Sequence, residues 1–261
     1  MLGSCKHAGG AHPGYFDQYI FDGGKARIIL NVLVTPADVT ENLPMVDLLW
    51  RTCFRWKLRP RQATGDTTYA TIENIVAIEK AGIRAYLPLP DFDHRTPFFG
   101  KREFLYDAKR DLYTCPHGEQ LLFHTNSYTD QMRVYQADAA TCNACPLKVR
   151  CTSREKGRQL KRHFDEAYVE RVRNYHETES CQKAIRKRSV WVEPLFAEAK
   201  QWHGLRRFRL RRLRKVNGEA LLTATGQNLK RLLSKRGWGH RPWPNGASGL
   251  RLTTGAFPVF C

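Results

Sequence analysis

Three groups of residues in this chain have the types and spacing to do chemistry. The first is a pair of separated carboxylates. Asp66 follows a short strand-like run, residues 62–64, and precedes a helix-like one. Strand ends in open α/β sheets are where ligands and catalytic groups gather, although an Asp before a helix also serves as a plain cap or turn residue. Glu193 lies in a helix-like run over residues 189–202. At roughly 100° per residue, Val192, Leu195, Phe196, Ala199 and Trp202 form one apolar arc, with Trp191 at its edge. Glu193 and Lys200 sit just beyond the far edge of that arc, about two turns apart and nearly in line. Arg186 joins them if the helix starts early. A carboxylate at a core boundary, flanked by cations, can hold a metal ion while its neighbours hold phosphates. The plain alternative is an exposed i, i+7 pair of little energetic worth.

The second group is cysteines in the order Cys115, Cys142, Cys145 and Cys151. A Cys-x2-Cys knuckle with two further thiols nearby can give four thiolates to one tetrahedral zinc, and such a closed shell is structural, not catalytic. His117 is an alternative ligand to one of the four. The competing reading is a set of reduced, partly buried thiols.

The third group is a basic tract. Between Lys200 and Lys215 there are eight Lys and Arg and no acid. Phe208, Leu210 and Leu213 interleave with Arg206, Arg207, Arg209, Arg211 and Arg212. Apolar anchors would dock such a segment on the layer below and turn its cations toward a phosphate backbone.

The bulk numbers agree with a polyanionic partner. The net charge is +18, and the stretch 146–236 holds 25 Lys and Arg against 9 Asp and Glu, so +16 of it lies there. Clustered charge of that size favours DNA or RNA. With 42% apolar residues over 261 positions the chain can build a core. No apolar run nears the roughly 20 residues that span a membrane. The first 13 residues carry no apolar signal segment. These features predict a soluble, intracellular protein, and eight cysteines without a secretory signal argue against a disulfide scaffold.

The elements that must position these groups follow from periodicity. Residues 1–13 read as a disordered leader. Residues 15–21 and 27–34 are β-rich, and Asp22-Gly23-Gly24 between them is a hairpin signal. Residues 44–56 and 71–81 have helical spacing, the second stopped by Gly82, and residues 62–64 and 83–87 read as strands. Strands alternating with helices predict an α/β layer with some parallel pairing over residues 14–90. Residues 91–160 are polar, aromatic and turn-rich, with strand candidates at 121–124 and 133–136, and read as a small Cys-rich β insertion. The chain turns helical from about Glu166, with helices over 189–202 and 218–233 in a segment spanning 161–236. A disordered tail is expected over 237–261.

Several of these strings fall in the order of a known family. Val190-Trp191-Val192-Glu193-Pro194-Leu195-Phe196, with Lys200 seven residues after Glu193 and then Gly204-Leu205-Arg206-Arg207, resembles the C-terminal signature of DDE transposases of bacterial insertion sequences. Gly65-Asp66-Thr67-Thr68-Tyr69 resembles the second-aspartate motif of that family, and Thr35-Pro36-Ala37 with Glu41-Asn42 resembles the stretch between the first two acids. The Cys-rich segment ending in Cys145-Pro146-Leu147-Lys148 and Cys151 matches one branch of the family. The likeness runs from about Gly14 to Leu233.

The resemblance implies a ribonuclease H-like mixed sheet with flanking helices. It implies two divalent ions, Mg²⁺ or Mn²⁺, held by two Asp and one Glu, which activate water or a 3′-hydroxyl for attack on a phosphodiester. Asp66 would be the second Asp, Glu193 the Glu, and Lys200 the phosphate-contacting Lys. An Arg expected four residues before the Glu is Ser189 here, with Arg188 beside it. The first Asp of the family lies on a strand before the hairpin, and no such strand is read before Tyr15. The chain is therefore expected to be N-terminally truncated, inactive in isolation and marginally stable, with Asp22 as the nearest stand-in for the first acid. DNA is the implied partner, a homodimer the implied assembly, and a bacterial cytoplasm, near the nucleoid, the implied location. Two other readings remain open: a non-catalytic DNA-binding remnant, and a zinc-dependent nucleic-acid-binding module.

Overall fold

The computed structural model describes residues 3–7, 10–236 and 259–260. The chain divides into two compact units, residues 1–89 with 171–261 and residues 90–170.

The first unit is built on a mixed sheet. β1 (Gly3–His7) and β2 (Gly10–Asp22) form an antiparallel hairpin. β2 then pairs antiparallel with β3 (Ile29–Pro36). The turn between them closes as the Asp22-Gly23-Gly24 signal predicts: the Asp22 N–H donates to the Ile28 carbonyl at 2.9 Å. α1 (Met45–Trp56) leads to β4 (Gln62–Thr64), and α2 (Ile72–Lys80) leads to β5 (Arg84–Tyr86). β4 and β5 are parallel, as a helical crossover requires.

The segment expected as a frayed leader contains β1 and the start of β2. It has no side-chain period, and what the structure shows holding it is its backbone ladder. The expected tail lies outside the described residues except for β11 (Val259–Phe260). That short strand is antiparallel to β2 and parallel to β4, and it joins the two halves of the sheet.

Period-2 alternation sends the two faces of β2 to different layers. Tyr19 and Phe21 pack with Val32 and Val34 of β3 into a core under two long helices, α6 (Glu179–Trp202) and α7 (Leu213–Arg236). On the other face Asn31, paired in register with Ile20, donates from its side chain to Thr52 of α1 at 3.1 Å.

α6 starts ten residues before the expected Ser189 because Thr178 caps it, accepting from the Cys181 N–H at 3.3 Å. The early start places Arg186 and Arg188 on the same helix as Glu193. Pro194 lies inside α6 and removes one ladder hydrogen bond. α2 begins at its Thr71 cap, and Gly82 ends it with φ 75°, a left-handed conformation that suits glycine.

Glu79 at the end of α2 ties three elements together. It is buried, accepts from the Ala85 N–H of β5 at 2.8 Å and from the Tyr175 hydroxyl at 3.2 Å, and pairs with Arg171 at 3.4 Å. Removing the carboxylate strands a buried amide. Glu79→Ala is expected to lower unfolding stability by about 2–4 kcal/mol. A urea midpoint that falls with unchanged slope would show it, and an unmoved midpoint would refute it.

The second unit, residues 90–170, is a five-stranded antiparallel sheet. It runs through β6 (Leu105–Asp107), β7 (Leu112–Thr114), β8 (Gln120–Ser127), β9 (Met132–Ala137) and β10 (Gln159–His163). Two short helices, α3 (Ala139–Ala144) and α4 (Lys148–Cys151), carry cysteines, and α5 (Glu166–His176) follows β10. Tyr106 and Tyr135 both donate to Asp111, at 2.6 and 2.5 Å, in a tyrosine-rich core.

Candidate nucleic-acid cleft

A cleft of about 1320 Å³ opens in the first unit along β2. Its lining includes five consecutive β2 residues, 14–18, so the edge of the strand borders the space, not one face. Asp66 and Tyr69, just past the end of β4, line it with Glu41. α6 contributes Arg188, Phe196 and Lys200, and the loop after α6 contributes Arg206, Arg207, Arg211 and Arg212. Acids from strand ends and cations from a helix and its following loop thus meet in one concavity.

Asp66 is placed by local chemistry. Its Oδ1 accepts from the Thr68 N–H at 3.0 Å and caps a single 3-10 turn. A Cβ on Gly65 would stand 3.0 Å from the side chains of both Leu87 and Tyr69, so any larger residue there requires them to give way. The Asp66 Oδ2 lies 3.1 Å from Nη2 of Arg188. Arg188, not Ser189, therefore provides the guanidinium on this side of α6. Burial pushes the Glu41 carboxyl above its ordinary range, and the charge of Asp66 adds to that rise.

The basic loop is pinned at two points. The Glu219 carboxylate of α7 accepts from the backbone N–H groups of Arg209 and Leu210, each at 3.0 Å. The Phe208 ring meets Tyr15 of β2 edge-on at 6.0 Å. Of the three expected anchors only Phe208 belongs to the core cluster; Leu210 and Leu213 are 45% and 40% exposed. Lys200 and four of the five expected arginines line the cleft, and Arg209 does not.

Residues 114–233 match the family model described as a transposase DDE domain. Over that stretch, a little under half of its length, the chain is similar to DDE transposases. The matched stretch takes in α6, α7, Glu193, Lys200 and the basic loop, and the strand-rich first 89 residues lie outside it. No curated protein and no solved structure matches the chain.

The cations that line the cleft suit a polyanion. Among the described residues no helix is long and apolar enough to cross a membrane. Glu193 is exposed on α6 and does not line the cleft. In projection it falls roughly 20° from Lys200, at the border of the row that faces the cleft.

Asp22 is elsewhere. It accepts from the Ile28 N–H at 2.6 Å and closes the hairpin, and it is absent from the cleft. Burial raises its pKa, and the Ile28 and Gly24 amides offset part of that. It was expected as the nearest stand-in for the first acid, already in the hairpin turn, and there it accepts from the turn's own amide.

The zinc expected at the cysteines is not supported by their geometry. Cys115, Cys142, Cys145 and Cys151 line one small pocket of the second unit, and Cys142 Sγ accepts from the Arg158 N–H at 3.4 Å. All four are free thiols. Among the described residues, however, no three His, Cys, Asp or Glu form a group that could hold a metal ion. Spacing brings the thiols to one pocket without bringing them to chelating geometry.

One residue escaped the sequence reading. Asp17 lies on β2 between Tyr15 and Tyr19, on the face that alternation turns toward α6 and α7, and it lines the cleft. Both its carboxylate oxygens are buried without a hydrogen-bond partner. Burial pushes its pKa up to about 7, with the nearby Tyr19 hydroxyl pulling the other way. The available signal was an acid at an inward position of an otherwise apolar strand. The amide Nε2 of Gln18, also at the cleft, is likewise buried and without a partner.

Proposed function

We propose that this chain is the DNA-handling portion of a DDE transposase that cleaves DNA and transfers strands, with the β2-edge cleft as its substrate groove. The observation that carries this reading is the meeting of Asp66 with Lys200, Arg206, Arg207, Arg211 and Arg212 in one cleft. The cations neutralise a phosphate backbone and fix its register. Arg188 holds the Asp66 carboxylate in place. Glu193, at the edge of the same helical row as Lys200, is the proposed second carboxylate. The acids of the cleft are hard oxygen donors, and the buried carboxylate of Asp17 beside them supports a cation in this space. When bound, a divalent ion such as Mg²⁺ or Mn²⁺ polarises the phosphoryl oxygen and lowers the pKa of its water. Arg188, freed from Asp66 on substrate entry, would turn to a phosphate oxygen. Pairing two DNA ends calls for two copies, and a cytoplasmic location near the nucleoid goes with the DNA partner.

A second reading is DNA binding without cleavage. It is favoured by the lack, among the described residues, of three clustered metal-holding side chains. Both readings predict a steep salt dependence. With five cations in the cleft besides the Asp66-paired Arg188, the slope of log K against log salt should be about −4 to −5 for duplex DNA. Anisotropy titrations from low to moderate salt with DNA flanking the encoding gene would measure it. A flat slope or no binding overturns the cleft as a DNA groove. Cleavage of that DNA with Mg²⁺ or Mn²⁺, abolished by chelator, separates the two readings.

A further inference from the structure

A second groove, of about 490 Å³, lies in the same unit and shares no lining residue with the cleft. It is lined from α6 by Ala197, Gln201 and Trp202, from the β2–β3 turn by Lys25 and Arg27, and from α7 by Lys230 and Lys235. In projection the residues of α6 that face it are centred roughly 180° around the helix from those facing the cleft, with Glu193 between the two sets.

Trp202 is 73% exposed, which is unusual for the largest apolar side chain. Lys230 Nζ stands 5.9 Å from its ring centroid. Among the described residues the one acid of the groove, Glu198, is paired with Lys230 at 3.0 Å and Arg231 at 2.7 Å, so it leaves little charge to repel an anion. Lys25 and Lys235 are exposed at the rim. Arg27 is held there in a left-handed conformation, φ 52°, which costs a non-glycine residue energy that the hairpin turn must repay.

Resting on the proposed function, we infer that this groove binds single-stranded DNA, with a base stacked on Trp202 and its phosphates on Lys25, Arg27 and Lys235. A flat, exposed indole beside cations is the combination that holds unpaired nucleotides: the ring takes any base face and the cations take the backbone. The space suits a small ligand and is far too small for a duplex. An acidic peptide would use the cations and leave the indole idle. The groove would hold the strand beyond the cut, on the far side of Glu193 from the cleft.

The test compares the full chain with Trp202→Ala, Trp202→Phe and the double variant Lys25→Ala/Lys235→Ala. The probe is a labelled oligodeoxythymidylate of about 12 nucleotides, with a duplex of the same length beside it. Trp202→Ala is expected to weaken single-strand binding about 10-fold and leave duplex binding within about 2-fold. Trp202→Phe should recover most of the loss. The double variant should make the single-strand salt slope shallower by about 1.4. Unchanged single-strand affinity in Trp202→Ala, or equal weakening of both probes, overturns the inference while leaving the cleft intact. Absence of duplex binding by the unaltered chain overturns the cleft instead. Because Trp202 is exposed, an unaltered melting temperature shows that the variants are folded.

Discussion

Asp66→Asn is expected to reduce divalent-metal-dependent cleavage by on the order of 10³-fold or more, while DNA affinity stays within about 2-fold. The argument rests on what the substitution removes and what it keeps. Asn retains the side-chain oxygen that accepts from the Thr68 N–H, so the turn after β4 should hold. The charge that pairs with Arg188 is lost, and with it an anionic ligand for a cation. Losing one negative charge from a groove that carries Lys200, Arg206, Arg207, Arg211 and Arg212 should not weaken attraction to phosphate. The comparison needs a cleavage assay and a binding isotherm on the same DNA, at the same salt. A variant that cuts as fast as the parent would show that Asp66 only caps its turn. Joint loss of binding and cleavage would point to a structural role. If the parent itself does not cut, the DNA-binding reading stands.

Much of the first unit was legible because its elements announce themselves locally. Thr71 and Gly82 bound α2 by cap chemistry, and Asp22-Gly23-Gly24 marks the turn between β2 and β3. Asp66 was legible because it follows a short strand and precedes a helix-like run. What was not legible depends on distant partners. Thr178 as the start of α6 was hidden by the polar residues of the first turns of that helix, which carry little apolar signal. Whether Phe208, Leu210 and Leu213 anchor the basic loop turns on where Tyr15 and Glu219 lie, which no local pattern reports. The cysteines illustrate the same limit. A Cys-x2-Cys spacing fixes two thiols near each other, but Cys115 and Cys151 reach the pocket through tertiary packing, and ångström-scale chelation is beyond a spacing argument. Asp22 and Asp17 exchanged significance for a related reason. Both lie on β2, but one faces a turn full of amide donors and the other faces a cleft that offers its oxygens none.

That difference gives Asp17 a stability effect that depends on pH. Its folded pKa, about 7, lies above the ordinary 3.8, because burial disfavours the charged form. A raised carboxyl binds more protons in the fold than in the unfolded chain, so stability falls as pH rises across the interval between the two values. Below about pH 4 both states are protonated and Asp17 contributes nothing. Between about pH 4 and 7 the penalty accumulates, and above 7 it is complete. Three pKa units correspond to roughly 4 kcal/mol as an upper bound. Asp17→Asn removes the charge but leaves a buried amide short of partners, which costs about 1–3 kcal/mol of its own. The variant should therefore be about 1–3 kcal/mol more stable than the parent at pH 8, and equal or less stable near pH 4.5. Melting temperatures of both proteins, taken from pH 4.5 to 8.5, should cross. Parallel curves would mean that the Asp17 carboxylate is solvated or paired in solution. A parent more stable than the variant at pH 8 would mean that it is held as an anion by a cation from the cleft.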